Sequence, residues 1–523
     1  MIRGLFALAV LLLLWSVSYA DVKLHSLFTS HMVLQQKTTV PVWGQAAPGE
    51  QVTVKFQGQT QTATADDKGK WSVKLSSLQP GGPFEMTVEG KNTIKLEDVL
   101  VGEVWLCSGQ SNMEWPVRQS KDPKEVIEKA ANNQLRLFQV KKLTSNQPLS
   151  EPALDPAWKQ WRVASPESVP GFSAVGYFFG LSLQKARNVP VGMIHTSWGG
   201  TPAEAWTSEE FLQKTPELAY YVENVKKQIA NFPEAMKKYD EQMKKYDEEA
   251  IKLRAENKTV PVSPRKPNHP DQSPGTSARL YNAMINPLVP YAVKGAIWYQ
   301  GESNAGRAYE YRTLFPTMIQ SWRAAWGYEF PFLFVQLAPF KNIVEQPKES
   351  DWAELREAQL LISLKLANTA QAVITDTTDE KTDQKDIHPK NKAPVGERLA
   401  LAARQKVYGE PIVGTGPLFE RLTITGDKAV LSFTSVGGGL VCKGDKLTGF
   451  TIAGADKKFY NAEAKIDGDK VVVTCEAVKE PVAVRFGWTD YPVVNFFNKE
   501  GIPASPFRTD EWPGVTWPRK KTE

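Results

Sequence analysis

A serine in a setting suited to nucleophilic chemistry occurs at position 111. The apolar, β-type run 101–107 leads into Ser-Gly-Gln, and Ser111 and Asn112 follow at the start of a predicted helical turn. In an open α/β sheet, reacting groups lie at the carboxyl ends of the strands. The first backbone N–H groups of a helix also favour developing negative charge. The Ser-Asn pair equally suits an ordinary helix cap, so this motif alone supports two interpretations.

Two further motifs follow predicted strands and carry groups that can stabilise an oxyanion. In residues 195–201, the pair Gly199 and Gly200 allows backbone N–H groups to turn toward an anion. In residues 298–304, the side chain of Asn304 can donate an N–H to the same oxyanion. The alternatives are a plain strand-to-helix turn for the first motif and a helix cap for the second.

A general base is predicted at His388. The chain has five histidines, and His388 lies in an Asp-Ile-His-Pro motif that places Asp386 two residues earlier. Residues two apart in an extended segment point to the same side. Asp386 can therefore hold Nδ1 of His388 while Nε2 takes the proton of Ser111. The alternative is a surface turn, since Asp and Pro are turn formers. His195 also lies near the predicted sheet, but its apolar surroundings favour a core position.

These motifs need a common scaffold, and the sequence predicts an α/β domain over residues 99–417. β-type and helical runs alternate along it, which is typical of right-handed crossovers and a mostly parallel sheet. The predicted strands are 135–140, 191–197, 294–300, 330–337 and 370–376, and the predicted helices are 172–187, 309–326, 352–366 and 395–407. Because each candidate motif follows a strand, such a sheet brings the motifs to one edge.

β-type segments flank this domain on both sides, and one insertion interrupts it. Short alternating runs separated by turn residues predict an N-terminal β-sandwich at 21–98 and a C-terminal β-domain at 418–523. The insertion, 208–275, contains two consecutive heptads of nearly identical sequence that begin at Met236 and Met243. They predict a long amphipathic helix that packs on a neighbour or pairs with a second helix.

Composition and the N-terminus restrict the class of protein. A chain of 523 residues is too long for a single core. A net charge of +5, with no Lys/Arg run longer than three, argues against a nucleic-acid partner. Residues 1–20 combine an early arginine, a short apolar segment and small residues before Asp21, which is typical of a cleaved secretory signal peptide. No later segment predicts a membrane span, so we expect an exported, soluble protein in the periplasm or the medium.

The three cysteines predict no metal site. Cys107 lies on the predicted strand before Ser111 and is expected in the core. Cys442 and Cys475 lie in the C-terminal β-region, where they either pair as a disulfide or remain free. The chain has no Cys-x-x-Cys and no His/Cys cluster, so a structural zinc site is not supported.

Taken together, the motifs resemble those of the sialate O-acetylesterases, which are serine hydrolases of the SGNH type. The matching segments are 109–113, 197–201, 300–304 and 386–389, with further similarity at 486–489 and 503–510. The resemblance implies a three-layer SGNH-hydrolase-like α/β domain that needs no metal or organic cofactor. It also implies that Ser111 is the nucleophile, His388 the general base and then acid, and Asp386 its orienter.

The same resemblance implies the oxyanion donors and raises one doubt about the acid. The backbone N–H groups of Ser111 and of the Gly199–Gly200 turn would join the side chain of Asn304 as donors. Many SGNH enzymes separate the acid and the histidine by two residues, whereas this chain separates Asp386 and His388 by one. The alternatives are an enzyme that relies mainly on a Ser-His pair, or another acid from the set Asp376, Asp379 and Asp383.

The sequence thus predicts an exported serine esterase that removes O-acetyl groups from a sugar through an acyl-serine intermediate. Sialic acid is the substrate that the resemblance suggests, and acetylxylan or another acetylated carbohydrate is the alternative, since fold does not determine substrate. A non-catalytic carbohydrate-binding protein is a third hypothesis. Gln110, Gln300 and Glu302 flank the candidate groups, and we expect them to bond sugar hydroxyls or the site's own loops.

Overall fold

The computed structural model describes residues 21–378 and 384–518, so the predicted signal peptide lies outside the described residues. The N-terminal strands form two facing layers, in which alternate side chains of β4 and β6 are buried. One layer has the order β1-β3-β6, and the other pairs β5, β4 and β7 with β8. These strands are β1 Lys23–Leu24, β2 Val33–Gln35, β3 Val40–Gln45, β4 Gln51–Phe56, β5 Gln59–Thr64, β6 Lys70–Leu75, β7 Gly81–Glu89 and β8 Thr93–Gly109.

Strand β8 joins the N-terminal layers to the central sheet. It has 17 residues; its first half pairs antiparallel with β7 and its second half lies in the middle of the α/β sheet. The predicted boundary between residues 98 and 99 therefore falls inside one continuous strand.

The α/β part of the central sheet has the strand order β10-β9-β11-β8-β12-β13-β14. All pairings from β9 to β14 along this path are parallel, and only the edge strand β10 is antiparallel. The added strands are β9 Asn132–Gln139, β10 Arg162–Ala164, β11 Val191–Ser197, β12 Gly295–Tyr299, β13 Phe332–Val335 and β14 Thr369–Ala372. With the hairpin strands attached through β8, the eleven-stranded sheet is mixed. The prediction of an α/β fold is confirmed; the sheet as a whole is mixed, and its parallel part is the path from β9 to β14.

Helices cover both faces of the sheet. Successive side chains of β8 alternate between two apolar clusters: Val104 and Leu106 pack toward α6 and α7, while Trp105 and Cys107 pack toward α3 and α8. Strands β11 and β12 are buried along their whole length, as expected for strands covered on both faces. The helices are α1 Ser111–Glu114, α2 Pro123–Glu128, α3 Ala174–Arg187, α4 Glu209–Lys214, α5 Tyr220–Ala255, α6 Ala308–Trp326, α7 Asp351–Lys365 and α8 Ala393–Lys406.

The predicted insertion contains the long helix α5. In its first turns the side chains of Tyr221, Val222 and Val225 are buried. Farther along, the two repeated heptads are only half-buried at Met236, Tyr239, Met243 and Tyr246. The returning segment covers part of this seam: Ser263 contacts Met243, and the rings of Phe232 and His269 lie 4.7 Å apart. In the described ranges, no helix combines the length and apolarity needed to cross a membrane.

The C-terminal strands form one further apolar cluster that includes Leu360 of α7. They make two four-stranded sheets, β15-β16-β21-β20 and β19-β18-β22-β24, and a two-stranded sheet β17-β23. Their bounds are β15 Leu418–Thr425, β16 Lys428–Thr434, β17 Leu440–Cys442, β18 Phe450–Ala453, β19 Phe459–Asn461, β20 Glu463–Asp467, β21 Lys470–Thr474, β22 Ala483–Phe486, β23 Phe496–Asn498 and β24 Phe507–Arg508. Cys442 and Cys475 are both free thiols, so the disulfide alternative is wrong; Cys107 is buried as expected.

Candidate active site

The carboxyl ends of three neighbouring strands bring the predicted motifs together. In the parallel ladder, Gly109 of β8 is in register with Ser197 of β11 on one side and Tyr299 of β12 on the other. The segments that follow these strands therefore begin at the same edge of the sheet. Gly109 has φ +140, and a Cβ on it would lie 2.1 Å from the carbonyl oxygen of Tyr299. A glycine is required at this strand end because the neighbouring backbone approaches so closely.

Ser111 is the first residue of α1, and its hydroxyl meets His388. The Oγ of Ser111 and the Nε2 of His388 are 2.8 Å apart, a hydrogen bond between residues 277 positions apart in the chain. As the first helical residue, Ser111 also contributes one of the backbone N–H groups that have no acceptor within the helix. This geometry allows proton transfer from the serine hydroxyl to the imidazole.

Several groups determine the state of the His388 imidazole. Its ring stacks on that of Trp115 at a centroid distance of 5.1 Å and an interplanar angle of 20°. Burial, and then the positive charge of Lys392, lower the pKa of His388 from its ordinary value of 6.5, while Asp386 acts in the opposite direction. The imidazole is therefore neutral near pH 7 and can accept a proton from Ser111.

Asp386 contacts His388 in two ways. Its Oδ1 accepts a hydrogen bond from the backbone N–H of His388 at 2.9 Å and lies 3.5 Å from Nδ1. The side chain of Asp386 is 39% exposed, so this carboxylate is neither buried nor tightly bonded to the ring.

The structure describes one of the three alternative acids. Asp376 forms a bidentate pair with Arg398 at 2.6 and 2.7 Å, so its carboxylate is already engaged. Asp379 and Asp383 lie outside the described residues.

His195 occupies the core, as predicted. It is buried, and its Nε2 lies 2.5 Å from the Oγ of Ser197. Burial lowers the pKa of His195 to about 3, so this histidine is neutral, and it bonds Ser197 whereas His388 bonds Ser111.

The two predicted oxyanion glycines differ in their surroundings. The N–H of Gly199 donates to Oε2 of Glu114 at 2.7 Å, so this amide is not available to an oxyanion. A Cβ on Gly199 would lie 3.1 Å from the Cβ of Ser111, which shows how closely the turn packs on the serine. Gly200 has φ +74 and open space around the position of a Cβ, so its amide remains the candidate donor of this turn.

Asn304 is buried in a network at the opposite side of the site. Its oxygen accepts from the N–H of Ala203 at 2.9 Å and from Gln300 at 2.6 Å, and its nitrogen donates to Glu204 at 3.0 Å. A side-chain amide carries two N–H groups, so one remains for an oxyanion donor role.

The sequence predicts that Gln110, Gln300 and Glu302 bond either sugar hydroxyls or the site's own loops. In the structure they bond the loops. Gln110 accepts from the N–H of Ser303 at 3.3 Å, and Glu302 accepts from Asn112 at 2.6 Å. Gln300 is fully buried and donates to the carbonyl of Thr201 at 3.2 Å. These contacts assign the three residues to support of the loops.

Two residues of α1 and the residue that follows it make contacts in the site that the sequence does not predict. Asn112 bonds the loop before His388, Glu114 holds the Gly199 amide, and Trp115 stacks on the imidazole. The one available signal was their position in the same helical turn as Ser111.

Comparison with known proteins identifies the family. The family model described as "Carbohydrate esterase, sialic acid-specific acetylesterase" matches residues 101–252 and 271–405, more than half of the chain. The chain belongs to this family of carbohydrate esterases. It is accordingly a carboxylic ester hydrolase, and the hypothesis of a non-catalytic binding protein is set aside.

Relatives and a solved structure extend the similarity over nearly the whole chain. The sialate O-acetylesterase of Mus musculus is 30% identical over 520 residues, which cover 92% of this chain and 93% of that protein. The enzyme of the same name from Homo sapiens is 30% identical over 551 residues, 96% of each chain. The crystal structure of a carbohydrate acetylesterase from Xanthomonas citri is 39% identical, has a TM-score of 0.79, and covers 94% of this chain and 100% of its own.

Proposed function

We propose that this protein is a sialate O-acetylesterase that works through an acetyl-serine intermediate at Ser111. The observation that carries the proposal is the 2.8 Å contact between the Ser111 hydroxyl and Nε2 of a neutral His388. The names of the Mus musculus and Homo sapiens relatives support the substrate class.

The proposed reaction has two halves. In the first, Oγ of Ser111 attacks the acetyl carbonyl carbon while His388 takes the hydroxyl proton, and the tetrahedral oxyanion forms. The C–O bond to the sugar then breaks, and His388 returns the proton to the departing sugar oxygen. In the second half, His388 takes a proton from water, whose oxygen attacks the carbonyl carbon of the acetyl-serine. The bond from this carbon to Oγ of Ser111 then breaks, His388 returns the proton to Oγ, and acetate leaves.

The remaining groups of the site stabilise the charges that form during the reaction. The N–H groups of Ser111, Gly200 and Asn304 are the proposed donors to the oxyanion, since donors aimed at developing charge lower the barrier. Asp386 stabilises the imidazolium that forms on His388 in each half of the reaction.

The test is acetate release from a panel of O-acetylated sialic acids, acetylxylan and an aryl acetate. We expect release from the sialic acids and the aryl acetate, and we expect Ser111→Ala to lower turnover by roughly a millionfold. Preferential release from acetylxylan would keep the mechanism but overturn the sialate assignment. Wild-type turnover in Ser111→Ala would overturn the mechanism.

We also propose that the protein is exported, because residues 1–20 have the composition of a cleaved leader. N-terminal sequencing of the protein from the cell envelope or medium should find Asp21 as the first residue. A cytoplasmic protein that retains Met1 would contradict this proposal.

A further inference from the structure

Lys392 is a buried lysine close to the Ser111–His388 pair, and it has no part in the proposed mechanism. Lys392 is 1% exposed and immediately precedes helix α8, four residues after His388. Its Nζ lies 5.8 and 5.3 Å from the ring centroids of Trp115 and Tyr299. Burying an ammonium group is costly unless it is paired and hydrogen-bonded, so its position needs a compensating interaction.

That interaction is with Asn112, the residue beside the serine. Lys392 donates to Oδ1 of Asn112. The Nδ2 of Asn112 donates to the carbonyl of Ile387 at 3.0 Å and to Oε1 of Glu302 at 2.6 Å. Ile387 stands between Asp386 and His388, so the amide of Asn112 links the serine helix, the histidine loop and the segment after β12.

The orientation of this amide depends on its partners. An asparagine side chain presents one acceptor atom and one donor atom, and either can occupy either position after a flip. An ammonium group accepts no hydrogen bond, so Lys392 requires the oxygen of Asn112 on its own side. The nitrogen then faces the two acceptors, Ile387 and Glu302.

We propose that Lys392 is a positioning residue that holds the Asn112 amide in this orientation and places a positive charge beside the Ser111–His388 pair. The inference deepens the proposed function and rests on it. Lys392 does not touch the substrate; it acts through Asn112 and His388.

The charges around the pair support the second part of this role. Among the described groups, Lys392 and Asp386 act on His388 with opposite signs, and the carboxylate of Glu302 acts on Lys392. Burial lowers the pKa of Lys392 to about 7, whereas the pKa of His388 lies below 6.5. The cation is therefore present at the acidic pH values at which His388 gains its proton, and it is lost as the pH rises through about 7.

The test compares Lys392→Met with Lys392→Arg by the pH dependence of kcat/KM on an aryl acetate. Loss of the cation should raise the pKa of His388, so Lys392→Met should move the acidic limb upward by about 0.5–1 pH unit. It should also lower kcat about tenfold or more with little change in KM, because the His388 loop loses its alignment. Lys392→Arg keeps the charge and should keep the limb at its wild-type pH.

A purely structural lysine would give a different result. It would lower the melting temperature and kcat of Lys392→Met without moving the acidic limb, and that outcome would overturn the electrostatic role. A folded Lys392→Met with wild-type kcat would overturn the positioning role.

Asn112→Ala keeps the lysine and tests the link itself. It should lower kcat about tenfold or more while moving the acidic limb less than Lys392→Met does. If Lys392→Met does not fold, wild-type kcat in Asn112→Ala would by itself overturn the inference. If acetate release by the wild-type enzyme does not depend on Ser111, the proposed function fails together with the Lys392 inference. If release depends on Ser111 but the Lys392 and Asn112 variants behave as wild type, only the Lys392 inference fails.

Discussion

Replacing Asp386 by asparagine separates the two contacts that this side chain makes with His388. The carboxylate accepts from the backbone N–H of His388 at 2.9 Å, and it faces Nδ1 at 3.5 Å. Asparagine keeps an oxygen for the backbone N–H but removes the negative charge near the ring. We expect the loop to keep its shape, while the imidazolium formed during the reaction loses a stabilising charge.

The expected loss of kcat in Asp386→Asn follows from the distance between the carboxylate and the imidazole and from the exposure of Asp386. At the observed 3.5 Å, two unit charges attract by about 1.2 kcal/mol in bulk water and about 5 kcal/mol at an effective dielectric constant of about 20. Because Asp386 is 39% exposed, we expect roughly 1–3 kcal/mol, which corresponds to a loss in kcat of about 5- to 150-fold. A buried triad aspartate replaced by asparagine loses about 10⁴-fold, so the two situations are distinguishable.

The assay is steady-state hydrolysis of an aryl acetate, with Asp376→Asn as the matched control. Asp376 is also a carboxylate in a close ion pair, but its partner is Arg398 and not His388. The control should keep kcat near the wild-type value even if it unfolds at lower temperature. A 10⁴-fold loss in Asp386→Asn, or a larger loss in Asp376→Asn than in Asp386→Asn, would refute the reasoning.

Three other measurements test separate parts of the site. Asn304→Ala should lower kcat about a hundred- to a thousandfold with little change in KM, because an oxyanion donor is lost; an unchanged kcat would remove Asn304 from that role. In wild type, kcat/KM should fall to half at a pH below 6.5, because burial lowers the pKa of His388 and protonation stops it accepting from Ser111; a midpoint above pH 7 would contradict this. Gly109→Ala should destabilise the fold by more than about 2 kcal/mol in denaturant titration, since its Cβ meets the Tyr299 carbonyl at positive φ. Gly306→Ala, which meets open space, is its control and should leave stability nearly unchanged.

The chemistry-bearing residues could be predicted because their signals are local. A strand, a glycine and a serine lie within a few residues of one another, and Asp386 and His388 are two apart. The alternation of strands and helices then implied that such motifs share one edge of a sheet. The register of Gly109 with Ser197 and Tyr299 agrees with that expectation.

What the sequence did not predict depends on partners far apart in the chain. The bonds from Glu114 to the Gly199 amide and from Lys392 to Asn112 join residues 85 and 280 positions apart. A lysine in a polar loop is usually solvated, so nothing local indicated that Lys392 is buried. The mixed sheet has a similar origin, because β8 is long enough to belong to two structural modules.

The central claim is that the Ser111 hydroxyl is the nucleophile and His388 its base. Mass spectrometry after treatment with a serine-directed fluorophosphonate tests it most directly. We expect one adduct, on the peptide that contains Ser111, whose formation parallels the loss of acetate release and which is absent from His388→Ala treated for the same time. Complete loss of acetate release with an unmodified Ser111, or an adduct on a different serine, would contradict the account.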